Sequence, residues 1–187
     1  MRRRFLLGQF SGVADNALWS YELLDKARLL ESPSIDFQRI VVAVDPSGCS
    51  GEDDKRSDEV GIVVVALGTD GHGYLLEDLS GRFGPAQWGK LVVEAVKRHD
   101  ADCVVAEANF GGAMVGEIIR SASPDRRIPF KEVRASRGKA VRAEPISALY
   151  EQGKVHHLGY FEQLEDQLCA MTLSGYAGDR SPDRADS

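Results

Sequence analysis

The chain has 187 residues, of which 43% are hydrophobic and 28% are charged, and its formal net charge at pH 7 is −6. These values are ordinary for a globular domain with one well-buried core. The three cysteines are odd in number and widely spaced, which excludes a disulfide framework. No apolar run approaches the roughly 20 residues that cross a bilayer, and the signal-peptide pattern is missing. We therefore expect a soluble, cytoplasmic protein.

The first half of the chain predicts an appendage followed by a β-meander. Residues 1–38 are expected to form an N-terminal appendage or linker, in which apolar spacing predicts a helix over residues 15–30. The main domain is expected to span residues 39–187. Apolar runs rich in β-branched residues predict strands at 40–44 and 60–67, and a turn leads into a third strand around 74–79. These three strands should pair antiparallel.

The second half of the chain alternates between predicted helices and strands. Pro85 begins a helix with an apolar inner face, as expected of proline at the first helical position. The remaining elements are predicted as strands at 103–106, 129–133 and 154–158 and helices at 112–119, 139–151, 161–171 and after Pro182. A meander followed by this alternation predicts an α/β fold with a mixed sheet of five or more strands and helices on both faces. That is the layout of ribonuclease H-like domains.

Acidic residues stand at the ends of several predicted elements. Asp45 and Glu107 each close a buried apolar run, while Asp183 and Asp186 lie three residues apart after Pro182. Because burying unpaired carboxylates is unfavourable, acids that meet at one end of a sheet predict a compensating cation. Carboxylate oxygens suit Mg²⁺ or Mn²⁺ better than Zn²⁺, and the layout suits two shared ions. The pattern therefore indicates a metal-dependent nuclease.

A basic stretch leads into the predicted helix at 139–151. Residues 126–142 contain seven lysines and arginines against one acid, so this stretch can neutralise nucleic-acid phosphates. We predict phosphate contacts for Lys139 and Arg142, with Arg134 and Arg137 behind them; a solvated basic helix face is the alternative. Double-stranded DNA is the favoured ligand, because the sequence contains no aromatic platform of the kind that stacks single-stranded bases.

Four motifs occur in a fixed order along the chain. They are Val-Ala-Val-Asp-Pro-Ser at 42–47, Val-Val-Ala-Glu-Ala-Asn-Phe-Gly-Gly at 104–112, Arg-Ala-Glu-Pro-Ile-Ser-Ala-Leu-Tyr-Glu-Gln-Gly-Lys-Val-His-His at 142–157 and Ser-Pro-Asp-Arg-Ala-Asp at 181–186. Together they resemble the nuclease domain of tailed-phage terminase large subunits. The resemblance implies a two-metal-ion endonuclease that cuts concatemers of viral double-stranded DNA during genome packaging, in the cytoplasm of a bacterial host cell. It also implies that the portal, the small terminase subunit and a packaging ATPase are partners.

The same resemblance implies roles for the acidic residues. Asp45 and Glu107 match the first and second metal ligands of the family, and the final acid comes from the Ser-Pro-Asp-Arg-Ala-Asp motif. Asp183 and Asp186 are both candidates for that ligand, and the sequence does not decide between them. The ions expected are two Mg²⁺ or Mn²⁺.

Two alternatives remain open at the level of sequence. The chain contains no Gly-x-x-x-x-Gly-Lys-Ser/Thr loop, so we expect a nuclease fragment, a separate domain or a prophage remnant. In the first alternative it is another ribonuclease H-like nuclease, such as a junction resolvase. In the second it is a catalytically weak or silent remnant that docks on DNA or a portal, because a helix ending near Ser187 is too short to be held firmly.

Overall fold

The structure is a computed structural model that describes residues 16–46, 59–107, 112–134, 138–178 and 181–187. Its elements in chain order are helix α1 (Tyr21–Ala27), strands β1 (Arg28–Leu29), β2 (Phe37–Asp45), β3 (Gly61–Gly68) and β4 (Gly73–Asp78), helix α2 (Pro85–His99), strand β5 (Cys103–Glu107), helix α3 (Gly112–Ala122), strand β6 (Phe130–Val133), helix α4 (Lys139–Glu151), strand β7 (Val155–Leu158), helix α5 (Glu162–Cys169), strands β8 (Met171–Thr172) and β9 (Gly175–Tyr176) and helix α6 (Asp183–Asp186).

Seven of these strands form one mixed sheet in the order β1-β7-β4-β3-β2-β5-β6. Strands β2, β3 and β4 pair antiparallel, which is the predicted meander. The pairs β2–β5, β5–β6, β4–β7 and β1–β7 are parallel. The prediction of a mixed sheet with at least five strands is therefore confirmed. Short strands β8 and β9 pair with each other outside this sheet.

Helices cover both faces of the sheet. On one face, Val42, Val44 and Val104 pack in a core with Trp88 and Val92 of α2. On the other face, Val63 and Leu75 pack in a second core with apolar side chains from α1, α4 and α5. Side chains alternate along a strand, so β2 sends Val42 and Val44 to the first face and its alternate residues to the second. No helix within the described ranges is long and apolar enough to cross a bilayer.

The N-terminal helix is shorter than the 15–30 span predicted from its periodicity. Residue 15 lies outside the described part of the chain, and α1 begins at Tyr21, where the Ser20 hydroxyl accepts a hydrogen bond from the Leu23 amide. Before the helix, Ala17 forms a bridge with Thr172, and after it β1 pairs with β7. These long-range pairings end the helix at both sides, and helical periodicity alone does not reveal them.

The other predicted elements lie close to the observed ones. Helix α4 has the predicted bounds of 139–151, whereas α5 ends at Cys169 rather than at residue 171 because Met171 begins β8. Two of the cysteines, Cys103 and Cys169, are buried, and Cys49 lies outside the described residues. The elements that carry the predicted acidic residues all form.

Candidate functional site

The ends of two neighbouring strands bring Asp45 and Glu107 together. Strands β2 and β5 are parallel, and Val44 lies opposite Ala106. The next residue of each strand is therefore Asp45 or Glu107, at the same end of the sheet. Val44 and Ala106 both belong to the core under α2 and α3. By alternation, the two acids lie on the opposite face.

The short helix α6 packs on this same face, directly beside Asp45. Gly61 is the antiparallel partner of Asp45. A Cβ atom at Gly61 would overlap the backbone carbonyl oxygen of Asp183, so the absence of a side chain there allows the helix to approach the sheet this closely. Asp183 is buried and Asp186 is partly buried. The structure thus places both C-terminal acids over the end of β2.

The pKa of Asp45 reflects both its burial and the acids that lie near it. Burial and the nearby negative charges of Asp186 and Asp183 raise the pKa of Asp45 to about 6. Lys139 opposes this rise in pKa, and Glu107 adds to it. A raised carboxyl pKa means that the surroundings disfavour the charged form. The four acids therefore share one electrostatic environment with an excess of negative charge.

Basic side chains from the start of α4 reach this acidic group. The Lys139 ammonium contacts the Asp186 carboxylate, and Arg142 Nη1 lies 3.5 Å from Glu107 Oε2. Two of the predicted phosphate-binding residues are thus in contact with two of the predicted metal ligands. Arg134 is exposed and follows Val133, the residue opposite Glu107 in the β5–β6 pairing. Arg137 lies outside the described residues.

The donor atoms fit a hard divalent cation, although their present arrangement does not form a finished metal site. Within the described ranges, no three His, Cys, Asp or Glu side chains are grouped so that they could hold an ion. The carboxylate oxygens of Asp45, Glu107 and the two α6 acids are nevertheless the ligand type that Mg²⁺ and Mn²⁺ prefer. Binding an ion here requires these side chains to rearrange, including the contact between Lys139 and Asp186.

Arg184 lies between the two α6 acids, and the sequence motifs do not assign it a role. Its Nε donates a hydrogen bond to Glu59 Oε2 at 2.8 Å, and its Nη1 donates to Asp78 Oδ2 at 2.9 Å. The backbone amides of Arg184 and Ala185 both donate to Gln167 Oε1. A helix of four residues is too short to be stable alone and needs such contacts, but the sequence by itself does not show which residues make them.

Comparison with protein families finds one match over most of the chain. The family described as "Terminase RNaseH-like domain" matches residues 42–187. This range contains Asp45, Glu107, Asp183 and Asp186. No curated protein matches the chain.

Solved structures with the same fold come from bacterial viruses. A point mutant of the nuclease-containing part of the Sf6 large terminase subunit gp2, solved with calcium, has a TM-score of 0.65 and 14% identity, covering 91% of this chain and 96% of that chain. A mutant nuclease domain of the same subunit, solved with manganese, has a TM-score of 0.63 and 13% identity with the same coverages. The HK97 large terminase has a TM-score of 0.64 and 11% identity, covering 91% of this chain and 42% of that chain.

These identities are low, so the structural likeness speaks to the fold. It confirms the predicted ribonuclease H-like fold, and the family match agrees with the motifs that resemble terminase nuclease domains. The chain spans less than half the length of the HK97 large terminase.

Proposed function

Because the chain belongs to the terminase ribonuclease H-like domain family, we propose that it is a divalent-metal-dependent endonuclease that cuts double-stranded viral DNA during genome packaging. The observation that carries this proposal is the grouping of Asp45 with Glu107, Asp183 and Asp186 at one end of the sheet, where burial and these neighbouring acids raise the pKa of Asp45. Perturbed carboxylates of this kind are concentrated at functional sites. The Sf6 relatives solved with calcium and manganese add support for a divalent cation.

Asp45, Glu107, Asp186 and Asp183 would hold the cations, and we propose two ions of Mg²⁺ or Mn²⁺. When bound, such ions polarise the scissile phosphate and lower the pKa of an attacking water. Asp45 is affected by the charges of all three other acids, so we propose that it is a central ligand of the site. Of the two α6 acids, Asp186 raises the pKa of Asp45 more than Asp183 does. We therefore propose Asp186 as the direct metal ligand and Asp183 as its neighbour.

The basic side chains would exchange partners when DNA and cations arrive. Lys139 and Arg142 now neutralise part of the charge on Asp186 and Glu107. Cations at the carboxylates would take over that role and release both side chains towards the DNA phosphates. Arg134 and Arg137 would extend the contact along the backbone. Such contacts position a duplex without reading its bases, which agrees with cutting of low sequence preference.

The biological setting is proposed from the family. Full-length large terminases such as that of HK97 are more than twice as long as the matched region. We propose that the domain acts in the cytoplasm of a bacterial host together with a packaging ATPase, the small terminase subunit and the portal.

The alternative function is a catalytically silent docking module, in which α6 is held too loosely for its acids to bind metal. The contacts of Arg184 with Glu59 and Asp78, and of Gln167 with the α6 amides, count against it. A junction resolvase would share the fold and the acids, but the match to the terminase family disfavours it.

Cleavage of supercoiled plasmid DNA tests the proposal. The wild-type chain, Asp45→Ala and Asp125→Ala are compared at equal concentration with Mg²⁺, Mn²⁺ or EDTA. Asp125 is an exposed acid in the turn after α3 and serves as the matched control. We expect metal-dependent nicking and linearisation by the wild type and the control, and none by Asp45→Ala. Equal cleavage by Asp45→Ala, or no cleavage with any metal, would contradict the proposal.

A further inference from the structure

Helix α6 carries two of the proposed metal ligands but cannot hold its own conformation. It has four residues, Asp183–Asp186, whereas isolated helices shorter than about 12 residues are marginal in water even with favourable sequences. Its position must therefore come from contacts with the rest of the chain. These contacts decide where Asp183 and Asp186 lie relative to Asp45.

The strongest of these contacts is made by Arg184, which is the residue after Asp183. Its side chain is 7% exposed and forms an ion pair at 2.9 Å with Asp78, whose side chain is also 7% exposed. A second ion pair joins it to Glu59 at 2.8 Å. Asp78 is the last residue of β4, and Glu59 comes two residues before β3. A buried charge that loses its partner is strongly destabilising, so α6 cannot easily leave this position.

Two further contacts fix the orientation of the helix. The Gln167 side-chain oxygen accepts hydrogen bonds from the amides of Arg184 and Ala185 at 3.0 and 3.2 Å. On the other side, the Asp183 carbonyl rests against Gly61, the strand partner of Asp45. Arg184 pulls α6 towards β4, Gln167 holds its first turn, and the sheet limits its approach.

We propose that Arg184 is a positioning residue, whose ion pairs with Asp78 and Glu59 hold Asp183 and Asp186 over Asp45 and thereby set the affinity of the site for divalent cations. This inference rests on the proposed function. Arg184 does not itself ligate metal, since its guanidinium is a cation with donors only. Its role is to support the carboxylates, as outer-shell residues support metal ligands in other proteins.

Arginine suits this position better than lysine. Its guanidinium directs separate N–H groups to two acids at once, as Nε does to Glu59 and Nη1 to Asp78. A lysine ammonium is a compact point charge on a flexible stem and lacks this rigid fork. Arg184→Lys should therefore keep the charge but lose part of the orientation.

Direct binding of Mn²⁺, measured by calorimetry on the intact chain without DNA, tests the inference. The proteins compared are wild type, Arg184→Gln, Arg184→Lys and Arg28→Gln. Arg28 is the matched control because its side chain is 6% exposed and forms an ion pair with Glu165 at 2.7 Å, yet it lies on β1, at the opposite edge of the sheet from β6. Melting temperatures of all four proteins are measured in EDTA.

We expect Arg184→Gln to weaken Mn²⁺ binding by about 10–100-fold, in the range seen for outer-shell substitutions, and Arg184→Lys to weaken it less. In plasmid cleavage, the Mn²⁺ concentration for half-maximal activity should rise by the same factor, with the rate at saturating Mn²⁺ largely recovered. Arg28→Gln should lower the melting temperature and leave Mn²⁺ affinity unchanged. If Arg184→Gln does not fold, Gln167→Ala provides the second test and should weaken Mn²⁺ binding several-fold.

Two outcomes would overturn the inference alone. The first is an unchanged Mn²⁺ affinity in Arg184→Gln, or in Gln167→Ala if that variant replaces it. The second is a loss of Mn²⁺ affinity in Arg28→Gln as large as the loss in Arg184→Gln. In both cases the wild type would still bind Mn²⁺ and lose cleavage on Asp45→Ala, so the proposed function would stand. A wild-type chain that neither binds Mn²⁺ nor cleaves DNA would overturn the proposed function and this inference with it.

Discussion

Two groups of buried acidic side chains lie on the same face of the sheet, and their surroundings act on them in opposite directions. At the end of β2, burial and neighbouring acids raise the pKa of Asp45 to about 6. On α5, burial favours a higher pKa for Glu165, but hydrogen bonds from His157 and Arg28 lower that pKa to about 2. The fold thus supplies positive partners to one carboxylate and further negative charge to the other.

The group around Glu165 is a closed network. Arg28 Nη1 donates to Glu165 Oε1 at 2.7 Å and Arg28 Nη2 donates to Glu165 Oε2 at 3.1 Å. His157 Nδ1 lies 3.2 Å from Glu165 Oε1, and the Tyr150 hydroxyl lies 2.7 Å from His157 Nε2. Buried polar side chains that are joined in this way rigidify a core. Its function is to join β1, β7 and α5.

The difference shows where we expect an external cation to bind. Burial disfavours the charged form of both Asp45 and Glu165. At Asp45 burial is the largest cause of the raised pKa and the neighbouring acids add to it, whereas at Glu165 the hydrogen bonds from His157 and Arg28 outweigh it. At Glu165 an arginine of the same chain provides the compensation. At Asp45 the partial compensation by Lys139 leaves the pKa raised. A divalent cation would complete that compensation.

Breaking the network around Glu165 should have the largest effect on stability. Glu165→Gln removes the buried charged partner of Arg28, which keeps its ion pair with the more exposed Asp25, and should lower the free energy of unfolding by about 3 kcal/mol at pH 7. Because the folded-state pKa of Glu165 lies below its ordinary value of 4.5, the stabilisation is fully present above that pH and is lost as the pH falls towards 2. Urea denaturation at several pH values measures it, with the exposed Glu151→Gln as control. A variant as stable as wild type at pH 7 would contradict the network.

A change at Gly61 should disturb the acidic group around Asp45 by displacing helix α6. The Cβ of Gly61→Ala would meet the backbone of Asp183, which cannot move aside as a flexible side chain can. Helix α6 should shift, and cleavage should fall about 100-fold, since misplacement by about 1 Å can cost that much. Gly73→Ala is the matched control: Gly73 also begins a strand, and its nearest contact, Val155 Cγ2, is 3.8 Å away. Similar rates for the two variants would show that the close approach of α6 does not matter.

Removing the charge of Asp45 should stabilise the metal-free protein, in contrast to Glu165. Its folded-state pKa of about 6 lies above the ordinary value of 3.8, so the folded protein holds more protons between these values and its stability falls as the pH rises. In EDTA, Asp45→Asn should therefore be more stable than wild type by about 3 kcal/mol at pH 8 and equally stable below pH 4. Thermal unfolding against pH measures this difference. A less stable Asn variant at pH 8 would contradict the crowding of charge.

The smallest effect concerns the basic side chains. Arg142→Ala should weaken DNA binding and reduce the slope of log affinity against log salt by about 1, the value of one phosphate contact. Fluorescence anisotropy with a short duplex in the presence of Ca²⁺ measures it at several salt concentrations. Arg98→Ala serves as control, because Arg98 lies on α2 and pairs with Glu77. An unchanged slope in Arg142→Ala would leave Arg142 as a partner of Glu107 alone.

Local patterns predict much of this molecule because its central strands and helices are marked by apolar periodicity. The runs that end in Asp45 and Glu107 predict both the strands and the acids at their ends, and the parallel pairing of β2 with β5 brings those acids to one end of the sheet. Helix α4 is also predicted with its observed bounds. Placing the acids required only the strand ends and the order of the elements.

Contacts between distant parts of the chain are not visible in such patterns. The pairing of β1 with β7 shortens the predicted N-terminal helix, and it joins residues more than a hundred positions apart. The ion pair between Arg184 and Asp78 also joins residues more than a hundred positions apart. Each depends on tertiary packing that overrides local propensity, so a single sequence without its fold indicates neither.

The most direct test of an uncompensated acidic group at the end of β2 is the titration of the Asp45 carboxyl carbon by NMR, assigned from the signal that Asp45→Asn lacks. In EDTA the midpoint should lie near pH 6, and it should move to lower pH when Mg²⁺ is added, because a bound cation favours the charged form. A midpoint near the ordinary value of 3.8 that Mg²⁺ does not change would contradict the proposal that these acids form a cation site.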